Sequence, residues 1–138
     1  MSNVSSSVTP LAARILLSLM LVWSGIGKVM AFTYMAGYAA AKGLPAPSLA
    51  IGAAATIEIL GGLAVIFGFK TKLAAWAIFL YLIPVTFVFH NFWAVQGPEH
   101  MNAMIHFMKN VTIMGGFLLL AAFGAGAYSF DAALAGKA

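Results

Sequence analysis

A single carboxylate in the middle of a long apolar run constrains this chain more than any other feature. From Ser48 to Phe69, SLAIGAAATIEILGGLAVIFGF, 22 residues carry one ionisable side chain, Glu58. At ~1.5 Å rise per residue the run spans ~33 Å as a helix, enough to cross a hydrocarbon core ~30 Å thick. Glu58 then lies ~15 Å deep, near the midplane, where an unpaired carboxylate is least tolerated. Other parts of the chain must supply the groups that neutralise it.

Composition places the whole chain in the same solvent. Of 138 residues, 63% are hydrophobic and 7% charged, with a mean hydropathy of +1.01. A water-soluble domain carries about a quarter charged residues, so the chain reads as a membrane protein with room for four spans. The net charge of +4 comes from cations scattered among apolar runs. Scattered cations are topology signals and buried partners rather than a nucleic-acid surface. Zero cysteines exclude disulfides, thiolate metal sites and thiol redox chemistry, so any redox role needs a bound cofactor or a partner. No basic residue precedes Arg14, and the small residues at 39–41 lie well past the first apolar run, so residue 1 reads as the mature start.

The expected fold is an all-α membrane protein, a four-transmembrane-helix bundle with a short interfacial helix between the first and second spans. Residues 1–10 form a polar tail, and the membrane domain covers 11–126, with spans near 11–31, 48–69, 73–92 and 103–123. In the first span Arg14, Ser18, Leu21, Gly25 and Lys28 are spaced 4, 3, 4 and 3 apart, which puts them on one helical face directed into the bundle. Arg14 is expected to snorkel to one surface. Thr33 is the expected cap of an interfacial helix ending at Gly43, with Tyr34 and Tyr38 at headgroup level. Ala54, Gly61 and Gly62 share a face with Glu58 and let neighbouring backbones approach. Pro84 should kink the third span and free the Leu80 carbonyl, while Trp76 and Trp93 mark its two interfaces.

The remaining landmarks set the orientation. Residues 94–102 read as a loop turning at Gly97-Pro98, with Glu99 and His100 as its polar residues. The GFKTK turn from Gly68 to Lys72 is doubly basic, which places it and both termini in the cytoplasm. Arg14, Lys70, Lys72 and Lys137 are then inside and Lys42 outside, and residues 127–138 become a cytoplasmic tail with Asp131 and Lys137 in water.

With this topology Lys28, His90, His106 and Lys109 from three helices reach the depth of Glu58 from the outer side. Asn102, His106, Lys109 and Asn110 form a polar wedge at the start of the last span. An ion pair of Glu58 with Lys109 or Lys28 is expected, because a lone charge at this depth costs roughly 3 kcal/mol or more. Two lysines against one carboxylate leave positive charge unmatched, which suits an electron-rich guest such as a quinone carbonyl or a lipid headgroup. The competing reading is a buried ion pair that fixes helix register and binds nothing. His90 and His106 come from different helices at one depth, which is compatible with bis-His ligation, but no CxxCH or i, i+4 pair accompanies them. Hydrogen-bonded histidines and no metal are the expectation.

The stretches RILLSLMLVWSGIGKVM, GLPAP, EILGGLAVIFGFKTKLAA, HNFW and HFMKNVTIMGGFLLL together resemble the DoxX family, over nearly the whole chain. The resemblance implies a four-helix protein of the bacterial cytoplasmic membrane, with the family's polar positions falling on Lys28, Glu58, Lys109 and Asn110. It also implies an accessory, non-catalytic role in a quinone-linked redox system beside a separate redox or membrane partner. A small transporter or lipid-handling protein, and a structural assembly partner, are the other classes, and the sequence leaves homo-oligomerisation open.

Overall fold

A computed structural model describes residues 8–136. Most of the expected polar tail, and Lys137, lie outside the described residues. Within them the chain is helical without strands, and four helices are long and apolar enough to cross a membrane.

The first span is α1, Thr9–Met30, with Pro10 in its first turn, where a missing N–H costs nothing. A one-residue break at Ala31 leads into α2, Phe32–Ala41. The expected interfacial helix is present, but Thr33 does not cap it. The chain runs from α1 into α2 almost without interruption, and no side chain accepts at that N-terminus. Gly43 at φ +80° reverses the chain, and Pro47 opens the second span. That span consists of α3, Pro47–Thr56, a π turn, Ile57–Gly61, and α4, Gly62–Phe67. The third span, α5, Thr71–Phe89, continues as helix through Pro84. A short 3₁₀ turn, Phe92–Ala94, precedes α6, Pro98–Phe123. The last span therefore starts earlier than expected: Pro98 takes the first helical position, and Glu99 and His100 belong to the first turn rather than to a loop. A final short helix, α7, Phe130–Ala135, follows.

The expected inward face of α1 is the buried one, since Arg14, Ser18, Leu21 and Gly25 are its buried residues. The helix packs along all three pieces of the second span, while α5 packs on α6 and α2 on α3. The larger core, Leu21, Val65, Ala75, Ile78, Leu82, Phe117 and Ala121, fills the half of the bundle nearest Lys70. Long apolar side chains such as Leu16, Trp23, Leu49 and Phe123 point outward, as lipid contact requires.

Two features correct the sequence reading at the Lys70 end. Arg14 does not snorkel: it is 1% exposed and donates to the Tyr128 carbonyl. Asp131 is not a free group on a tail. Its carboxylate accepts from the backbone N–H of Lys70 at 2.7 Å and of Thr71 at 2.9 Å, capping α5, and its own N–H donates to the Gly68 carbonyl at 2.8 Å. Partial burial would raise the Asp131 pKa, but hydrogen bonds from Thr71 and Lys70 and the Arg14 charge outweigh it and hold the carboxyl below its ordinary value.

Two predictions follow from this packing. A Cβ on Gly25 would lie 2.7 Å from Ile59 and 3.2 Å from the Ala55 carbonyl, whereas one on Gly27 meets nothing within 4 Å. Thermal unfolding in detergent should show Gly25→Ala destabilised by ~1–3 kcal/mol and Gly27→Ala unchanged or slightly more stable. Because the folded pKa of Asp131 is depressed, its contribution is present above the unfolded value of about 3.9 and disappears as pH falls through the folded one. Limited proteolysis after Tyr128 should accelerate in acid for the native protein, and at neutral pH for Asp131→Asn.

Candidate functional site

Glu58 lies within the π turn and is 4% exposed. Its partner is Lys28, two residues before the end of α1, whose Nζ sits 2.8 Å from Oε2 and 3.0 Å from Oε1. The same ammonium donates to Ser24 Oγ, one turn back, at 2.8 Å. Tyr81 Oη reaches across from α5 and donates to Glu58 Oε1 at 2.7 Å. A lysine ammonium has three N–H donors and all three have acceptors here. The pair is neutral and hydrogen-bonded on both sides, the condition under which a buried ion pair is tolerated. Close approach of α1 makes it feasible, because Gly25 lies against Glu58 Cβ and Gly62 against Val22.

Lys109, the alternative expected partner, is elsewhere. Its Nζ lies 3.0 Å from His106 Nδ1, one turn back on α6, and Lys28–Glu58 is the ion pair found among the described residues. Sequence position sets depth along a helix but not the direction a side chain takes around it, and Lys28 and Lys109 compete at similar depth. His90 and His106 do meet: their rings stack with centroids 5.3 Å apart and planes 26° from parallel. Asn110 points between helices instead of into open space. It is 5% exposed and donates to Thr86 Oγ1 at 3.1 Å, while Thr86 donates to the Leu82 carbonyl at 2.6 Å. Among the described residues no three His, Asp or Glu side chains are grouped as a metal site would need.

These groups surround a cavity of about 490 Å³ in the half of the bundle opposite Lys70. Lys28, Ser24 and Tyr81 form one wall, with Glu58 behind them, and His90, His106 and Lys109 form another. Apolar side chains line the rest, among them Met35, Leu44, Ile51, Val85, Val88 and Phe89. Tyr38 of α2 packs its ring on Phe89 with centroids 5.7 Å apart and closes the cavity on that side. The volume is that of a site for a small organic molecule, apolar with a few convergent polar groups.

Two participants are absent from the sequence reading. Tyr81 had a legible cue: it stands ten residues into α5, ~15 Å deep, too far in for an interfacial aromatic belt. Ser24 had one as well, lying four residues before Lys28 on the same helical face. The π turn carrying Glu58 had none, because the span is apolar on every side and offers no polar contrast from which to read a change in period. Such turns gather at functional sites.

Removing one member of the buried pair strands the other charge, at a cost of about 3–5 kcal/mol. Glu58→Gln and Lys28→Met should each lower unfolding stability by that order in a denaturant titration, and the double variant Lys28→Met/Glu58→Leu should lose less than their sum.

Comparison with known proteins places this chain among relatives. The sequence model of the DoxX family matches residues 9–91, the stretch that contains Ser24, Lys28, Glu58, Tyr81 and His90. Inner membrane protein YqjF of Escherichia coli (strain K12) is 40% identical over 121 residues, 88% of this chain and 88% of its own. Inner membrane protein YphA of the same organism is 36% identical over 121 residues, 88% of this chain and 86% of its own. No solved structure matches. With more than half of its length matched by the family and two relatives aligned over 88% of it, the chain belongs to the DoxX family of integral membrane proteins.

Proposed function

We propose that this protein binds a quinone or similar lipid-soluble redox molecule in the cavity, and serves a separate catalytic protein as an accessory membrane subunit. The observation that carries the reading is the cavity itself: about 490 Å³, apolar over most of its wall, with Lys109 and the stacked His90 and His106 at one side and Tyr81 and Lys28 at the other. A quinone has that division, an apolar ring and tail with carbonyl oxygens that need donors. Lys109 and His106 would hold one oxygen. Tyr81 joins the cavity to Glu58, so a proton exchanged between guest and carboxylate passes through its hydroxyl. The bound group supplies electron transfer, which a chain without cysteine does not supply from its own thiols.

The names of its relatives, both inner membrane proteins, support a place in the cytoplasmic membrane. The doubly basic turn containing Lys70 and Lys72 supports an orientation with both termini inside and the cavity in the outer half.

Quinone binding by the reconstituted protein tests the reading. Ala50, on the cavity wall, is the position to fill. Ala50→Phe should weaken quinone binding about tenfold or more while the protein remains folded, and undiminished binding would place the quinone elsewhere. Guest flux across liposomes without coupled electron transfer would favour a transporter.

A further inference from the structure

We propose that the cavity selects the ionised form of its guest: a singly charged oxygen head on an apolar body, seated on Lys109 and His106. This rests on the cavity being the binding site and adds the charge of what enters it.

Charge accounting leads there. The chain has three acidic side chains, Glu58, Glu99 and Asp131. Glu58 is committed to Lys28, with both carboxylate oxygens occupied. Asp131 caps α5 at the opposite end of the bundle. Glu99 lies ten residues before Lys109 on α6, ~15 Å away along the axis. None of these three side-chain carboxylates is therefore available to Lys109, which lines the cavity and, in this proposal, brings its positive charge to it unpaired.

Hydrogen-bond chemistry gives the same polarity. The contact between Lys109 Nζ and His106 Nδ1 fits this charge: an ammonium cannot accept, so with Lys109 protonated the lysine donates and Nδ1 accepts. In that arrangement the His106 N–H that remains for a guest is the one on Nε2. Lys109 retains two further N–H donors. The wall presents donors and a positive charge, with no carboxylate acceptor beside them. Such a set binds an anionic oxygen more strongly than a neutral one, since charge-assisted hydrogen bonds are shorter and about twice as strong. The His90 ring, stacked on His106, covers one of its faces and holds the donor wall in place.

Two kinds of molecule carry this chemistry, an acidic hydroxyquinone and a fatty carboxylate, and the experiment separates them. Binding to the purified protein is measured at neutral pH for three probes with equal alkyl chains: a 2-hydroxy-1,4-naphthoquinone, ionised under these conditions, its neutral 2-methoxy ether, and a fatty acid. The hydroxyquinone should bind the native protein about tenfold or more tightly than the ether. That preference should vanish in Lys109→Met and survive in Lys109→Arg. Equal affinity for hydroxyquinone and ether overturns the selection for charge and leaves the quinone site standing. Binding of the fatty acid alone, with the same dependence on Lys109, upholds charge selection with a lipid as guest and removes the quinone reading. Binding of none of the three overturns both. The comparison of hydroxyquinone with ether on the native protein decides the matter even if Lys109→Met fails to fold.

Discussion

The pairing of Lys28 with Glu58 is the constraint to which the rest of the bundle answers. A carboxylate near the middle of a bilayer has no water to turn to, and a partner must come from another helix at the same depth. Lys28 does so from α1, Ser24 and Tyr81 complete the shell, and glycines at 25 and 62 let the backbones come near enough. The pairing also fixes the electrostatics of everything around it. By consuming the acid that lies within reach, it leaves Lys109 to share a hydrogen bond with a histidine.

The bundle is accordingly divided along its length. Toward Lys70 the helices meet through Val65, Ala75, Ile78, Phe117 and Ala121, all at most 6% exposed. Toward His90 they enclose the mostly apolar cavity and its few polar groups, with Tyr38 of α2 packed on Phe89 at its edge. The hydrogen bond from Asn110 to Thr86 sits between these regions and ties α5 to α6 where the packed core ends. This division suits the proposed function: the packed half keeps the helices in register, and the half with the cavity is where a guest would enter.

Much of this was legible in the sequence, for reasons that differ from element to element. The number of spans followed from hydropathy, because lipid enforces nearly uniform apolar runs, whereas the early start of the last span at Pro98 did not. The buried face of α1 followed from the 4-3-4-3 spacing of Arg14, Ser18, Leu21, Gly25 and Lys28, since that helix has a polar stripe against an apolar background. The second span lacks such contrast, so its π turn was invisible. The choice between Lys28 and Lys109 as partner of Glu58 depended on rotation about helix axes, which depth does not specify. Asn110 was read with the open site and proved to be an interhelical tie. The fates of Arg14 and Asp131 were missed for another reason. Both were judged as groups seeking water, and each instead found backbone partners in a different part of the chain.

That last pair of contacts bears on the order in which the protein is assembled. Arg14 and Tyr128 are 114 residues apart. During synthesis the first span enters the bilayer carrying a guanidinium whose acceptor has yet to be translated. Until the segment around Tyr128 and Asp131 arrives, Arg14 must stay hydrated at the membrane edge, and only then can it be sealed inside. The acceptor for the first span's buried guanidinium is thus among the last residues of the chain to be made, so the packing of its first helix is completed only by its final turns.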